Sequence, residues 1–174
     1  MATWVALLRG INLGPSHKVP MADLRSLLAD ELGYEDVRTL VNSGNVVFGA
    51  AGSAAAHEKK IAATLEKRFG FAVPTIVRSG KQLRAVLDAN PFPKAPAKEL
   101  HVVFLSAQPT KALLPAPEEI APDQAVAGTK CIYLRLPNGV ARSKVGDLGK
   151  GRGAPVATQR TWNTVTKLAD LAGA

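Results

Sequence analysis

The apolar positions of this chain fall into short, separated runs whose spacing changes from element to element. Trp4-Val5-Ala6-Leu7-Leu8 is unbroken and ends at Gly10, which predicts a buried strand over residues 3 to 9. Alternation along that strand puts Trp4, Ala6 and Leu8 on one face and Val5 and Leu7 on the other, so both faces are apolar and the second half of the chain is expected to cover part of one. Pro20 suits a first helical turn, with Met21, Leu24, Leu27, Leu28 and Leu32 on one face and Gly33 as the stop. Strands over 37 to 41 and 46 to 48 flank a tight turn, Asn42-Ser43-Gly44-Asn45, and residues 49 to 56 form a small-residue loop. Ile61, Leu65 and Phe69 repeat at helical spacing over 57 to 69 before Gly70, and 74 to 78 is another strand. The first 79 residues thus run β-α-β-β-α-β, the order of a ferredoxin-like plait.

The second half repeats this order more loosely. Ser79-Gly80-Lys81-Gln82 has the form of a capping box, opening a helix through Leu83, Val86 and Leu87 that Asn90-Pro91 stops. A proline-rich linker over 91 to 97 leads to a strand over 100 to 105, a short helix over 110 to 114 and a loop over 115 to 123. Residues 125 to 127 and 130 to 136 suggest a hairpin about Gly128-Thr129. A basic, glycine-rich stretch, 142 to 155, then precedes a last helix capped by Thr161, with Trp162, Val165, Leu168 and Ala169 on its apolar face. The expected architecture is α+β, two ferredoxin-like (α/β plait) halves packed together by internal duplication. The first half would cover 1–79, a connecting helix and linker 80–99, and the looser second half with its C-terminal helix 100–174.

Composition supports a folded core: 47% of the 174 residues are hydrophobic and 21% charged. No apolar run approaches the ~20 residues of a spanning helix, and no basic region precedes the first apolar run, so no membrane partner and a cytoplasmic location are expected. The single cysteine, Cys131, agrees with a reducing compartment and reads as a small core residue. Net charge is +8, and from Lys130 onward eight Lys and Arg stand against two carboxylates. This asymmetry favours anionic partners.

Local catalytic signatures are missing. Gly10, Gly14 and Lys18 do not have the Walker spacing, there is no paired-cysteine or H-E-x-x-H pattern, and His17, His57 and His101 are scattered and read as structural or solvent-facing. No catalytic residue, metal or cofactor is assigned. The two strands that would be central in an RNA-recognition module offer Trp4 and Phe48 without its aromatic signature, although phosphate contacts need no aromatics.

Three places could hold an anion. Topology brings Arg9, Asn12 and Lys18 to the same sheet edge as Asn42, Ser43 and Asn45, beside the N-terminus of the first helix. The alternative reading of that edge is that the asparagines tie loop carbonyls together. The second place is Arg142-Ser143-Lys144 with Lys150 and Arg152, against the alternative of a solvated connection. The third is a polar stripe of Arg160, Asn163 and Lys167 beside Trp162 on the last helix.

Taken together these segments resemble the bacterial family known as domain of unknown function 1697. The resemblance lies in "ALLRGINLG" (6–14), "KVPMADLRSLL" (18–28), "SGNVVF" (43–48), "VRSGKQLRAVLDANPF" (77–92), "LHVVFL" (100–105), "ARSK" (141–144) and "TWNTVTKL" (161–168). It implies two ferredoxin-like halves and no assigned activity. The chain departs from the family at Pro15, where a second glycine is usual, and at Thr161, where an asparagine is usual; Pro15 removes one N–H from the loop, and Thr161 keeps an oxygen for capping. The leading expectation is a non-catalytic binder of nucleic acid or a phosphorylated small molecule. An enzyme acting on a phosphorylated or nucleotide-like substrate and a protein–protein interaction module are the alternatives.

Overall fold

The computed structural model describes residues 1–174. It is a mixed α+β structure with two four-stranded sheets and five helices. The chain divides into two compact units, one of Met1–Arg84 with Lys167–Ala174 and the other of Ala85–Thr166.

The first unit runs β1 (Ala2–Leu8), α1 (Met21–Leu32), β2 (Glu35–Leu40), β3 (Asn45–Ala50), α2 (Ala54–Phe69) and β4 (Thr75–Ser79), and α3 (Gly80–Asp88) begins in it. Its sheet has the order β2-β3-β1-β4, with every neighbouring pair antiparallel. The pleat sends Ala6, Leu8, Val46, Phe48 and Val77 into one cluster with Leu24 and Leu28 of α1 and Ile61 and Leu65 of α2. Val5, Leu7, Val47 and Ile76, on the opposite face, are buried as well. α1 ends at Gly33, at φ 65°, whose N–H donates to the Ala29 carbonyl while the Tyr34 N–H donates to that of Leu28, a left-handed cap that favours glycine.

α2 starts at Ala54, three residues before the expected start at 57. Ser53 accepts the Ala56 N–H, and the alanines read as loop are good helix formers once capped. The last residues of the chain belong to this unit. Arg38 donates to the Leu171 carbonyl at 2.9 Å, and Arg84 reaches Asp170 at 3.0 Å and the Ala174 carbonyl at 2.7 Å.

The second unit holds β5 (Leu100–Leu105), the short α4 (Pro117–Ile120), β6 (Gln124–Gly128), β7 (Cys131–Arg135), β8 (Ala157–Thr161) and the start of α5 (Trp162–Leu171). Its sheet order is β6-β7-β5-β8, again antiparallel throughout. Val103, Leu105, Ile132, Leu134, Leu136 and Ala157 make one of its cores. Three expectations change here. α4 forms inside the stretch read as a loop, with Pro117 in its first turn, and the helix expected over 110 to 114 is a 3-10 turn over Lys111–Leu113. The β6–β7 turn is Thr129-Lys130, with Lys130 at φ 51°, rather than Gly128-Thr129. Gly128 lies in the strand because a Cβ there would fall 2.5 Å from the Tyr133 ring and 2.8 Å from Cys131 Sγ.

Candidate functional site

The loop after β1 and the β2–β3 turn meet as the topology requires. The Leu8 N–H donates to the Gly44 carbonyl at 2.8 Å, and the Arg9 N–H to Pro74 at 2.9 Å. Gly44, at φ 81°, has no room for a side chain, since a Cβ would lie 2.7 Å from that of Leu8. Asn12 is the clamp of the edge. Its Nδ2 donates to the carbonyls of Val19 at 2.9 Å and Asn42 at 3.1 Å, and its Oδ1 accepts the Val19 N–H at 2.8 Å. Asn45 is fully buried, its amide donating to the Leu40 carbonyl and to Ser43 Oγ. Asn12, Ser43 and Asn45 therefore hold the turns, and the main-chain carbonyl of Asn42 is one of the groups they hold.

The same edge contains three non-glycine residues in the left-handed region, Asn12 (φ 57°), His17 (φ 55°) and Val41 (φ 50°). For a β-branched residue such as Val41 this conformation is strained. Lys18 is exposed there, and Arg9 is half-buried. α1 opens beside them with Pro20 in the cap position and no side-chain cap, but Asp23 already places a carboxylate in its first turn.

The basic loop of the second unit is anchored at one point and open elsewhere. Asp123, buried, accepts the Lys144 N–H at 2.8 Å, and Lys144 Nζ donates to the Ala121 carbonyl at 2.9 Å. Ser143 Oγ accepts the Val145 N–H, and Asp147 accepts the Gly149 N–H. Arg142, Lys150 and Arg152 are exposed. Gly139, Gly146, Gly151 and Gly153 all have positive φ, and nothing lies within 4 Å of where their side chains would be.

The third grouping does not form a helical stripe. Arg160 lies in β8, opposite Val102, whereas Asn163 and Lys167 are exposed on α5. Pairing with β5 makes 157–161 a strand, and the Arg160 guanidinium is buried, donating to Thr158 Oγ1 at 2.6 Å and the Gln159 carbonyl at 2.9 Å. Burial pushes its pKa down to about 10. Thr161 caps α5 as expected, accepting the Thr164 N–H at 3.3 Å.

His57 was not legible as a site. It is buried, with Nδ1 2.7 Å from the Tyr34 hydroxyl, among the rings of Trp4, Tyr34 and Phe48. Its spacing of four from Ile61, and eight from Leu65, was the signal that put it on the apolar face of α2. Desolvation pushes the His57 pKa down, with Lys60 adding to the effect, and desolvation lowers that of His101 too. No group of three or more His, Cys, Asp or Glu is placed to hold a metal ion. No helix is long and apolar enough to cross a membrane.

The family model described as "Protein of unknown function (DUF1697)" matches residues 1–133. Among solved structures, a conserved bacterial protein from Streptococcus pneumoniae is similar over 98% of this chain and 98% of its own, with a TM-score of 0.77 and 21% identity. At that identity the likeness concerns the fold. No curated protein matches the chain.

Proposed function

We propose, for a chain that belongs to the DUF1697 family of proteins of unknown function, a role as a non-catalytic binder of phosphate-bearing ligands, with nucleic acid as the leading class. The observation that carries this reading is the loop around Arg142, Lys150 and Arg152. Its cations are exposed, its glycines leave the backbone approachable, and Asp123 and Lys144 fix its base. Cations spaced along an open loop suit successive phosphates of one strand. Arg9 and Lys18 offer a second contact edge, while Asn12 and Asn45 keep its shape. The lone, buried Cys131 suits a cytoplasmic setting.

We infer further that the two units derive from one duplicated ferredoxin-like element, the second lacking the helix between its last two strands. Equivalent bonds support this: Leu8 N–H to Gly44 and Leu105 N–H to Lys130, Arg9 N–H to Pro74 and Ser106 N–H to Val156. Arg78 and Arg160 correspond as well, each buried on the last strand of its sheet, opposite Val5 and Val102 respectively.

Mapping amide shifts of the full chain on addition of a short single-stranded RNA, and separately of a nucleoside monophosphate, tests the functional reading. Saturable shifts of the Gly149, Gly151 and Gly153 amides with RNA are expected. Shifts there with the monophosphate alone would move the ligand to the small-molecule class, and no saturable shift in this loop with either ligand would overturn the reading.

A further inference from the structure

The first sheet carries a different polar feature at its other end. β3 starts at Asn45, opposite Leu7, and finishes at Ala50, opposite Ala2, so the start of α2 lies away from the Arg9 edge. Trp4 Nε1 donates to the Ala50 carbonyl at 3.1 Å and fixes the corner where the chain leaves β3. Ala51, Gly52 and Ser53 follow, all exposed, with Gly52 at φ 123°, and α2 then runs for 16 residues. Ser53 Oγ takes the Ala56 N–H and the Ser53 carbonyl takes that of His57, while the N–H groups of Ala54 and Ala55 head the helix.

His57 points back into this corner. Side chains on a helix lean toward its N-terminus, and a Cβ built on Gly52 would lie 3.4 Å from His57 Nε2. His57 is 2% exposed, yet its buried Nε2 has no hydrogen-bond partner. Tyr34 supplies the other nitrogen: its hydroxyl lies 2.7 Å from Nδ1, and a protonated phenol donating there leaves the ring proton on Nε2. A buried donor is thus aimed at the loop that roofs the helix N-terminus. Polar groups this deep are nearly always paired in folded proteins.

We propose that His57 Nε2–H and the Ala54 and Ala55 N–H groups form a binding site for one phosphate group, free or as a monoester, reached when the Gly52 loop swings outward. The electrostatics suit an anion. The first turn of α2 has no acidic residue, and Lys59 and Lys60 follow on the next turn. The nearby carboxylate, Glu58, is engaged with the Val77 N–H at 2.9 Å and with Arg78 at 3.8 Å. The roof is a single glycine residue, and Trp4, Tyr34 and Phe48 fix the ring on its other sides. This site is independent of the basic loop and stands or falls without it.

The test is a titration of the full chain, labelled with 15N at histidine and at the backbone, with inorganic phosphate at fixed pH and ionic strength. The free protein is expected to show His57 as the Nε2–H tautomer. Phosphate should then shift Nε2 and the Ala54 and Ala55 amides together along one saturable curve. Tyr34→Phe, which frees Nδ1 and lets the tautomers mix, should weaken that curve, and His57→Phe should weaken it at least about tenfold, the scale of a lost hydrogen bond to a charged group. Should His57→Phe fail to fold, the unmodified chain decides alone. An Nδ1–H tautomer, or His57, Ala54 and Ala55 resonances that do not move saturably, would overturn the proposal.

Discussion

At the scale of single residues, Asn12 does the most with the least. Its amide serves three main-chain groups from two segments, and its φ of 57° is one that asparagine tolerates better than most residues. Asn12→Ala should therefore cost roughly 4–5 kcal/mol in urea unfolding, from about 1 kcal/mol for each of the three lost bonds and 1–2 for the backbone. Asn12→Gly should recover the backbone part only. Gly128→Ala should cost about 1–3 kcal/mol through overpacking against Tyr133 and Cys131. The two buried histidines set a pH dependence. Their pKa values are lower folded than unfolded, so the unfolded chain binds more protons below about 6.5. Stability is full above that value, falls as pH drops below it, and is lost in this component once the folded pKa is passed. The melting temperature should decline between pH 7 and 5, and less so in a folded His57→Phe variant. At this scale the sequence spoke through residue type and neighbours. That Asn12 and Asn45 tie loop carbonyls follows from residue type, whereas the reach of Asn12 to Asn42 across 30 residues needs the fold.

Elements show how edges and ends are completed. β4 is an outer strand, and Glu58 from α2 accepts its Val77 N–H while Arg78 donates to the Val77 carbonyl, so side chains satisfy main-chain groups that a further strand would otherwise pair. Glu58→Ala should speed exchange of the Val77 amide and cost about 1–3 kcal/mol, the penalty for a donor left unpaired. Thr161→Ala should cost about 1 kcal/mol by removing the α5 cap. Elements with a strong apolar period, β1, α1 and β5, could be read from the chain alone. β8 could not, because Thr158, Gln159 and Arg160 carry no apolar alternation and only the pairing with β5 makes them a strand. The early start of α2 was hidden in a similar way, since alanines after a serine look like a loop until the cap is seen.

For the whole molecule, the order of elements in the first 79 residues and the match to DUF1697 were legible in the chain, whereas the division of its end was not. Residues 167–174 join the first unit although they follow the second, and only long-range contacts such as Arg84 with Asp170 reveal it. The excess of positive charge toward the C-terminus was legible too, and the structure displays much of it on one loop while burying Arg160. If that loop binds successive phosphates, fluorescence anisotropy of labelled single-stranded RNA across a salt series reads the contacts out. Log affinity is expected to fall linearly with log salt, and a variant carrying Arg142→Ala, Lys150→Ala and Arg152→Ala to have a shallower slope by about 2, at ~0.7 per lost phosphate contact. No binding at low salt, or the same slope in both proteins, would contradict phosphate binding by the loop.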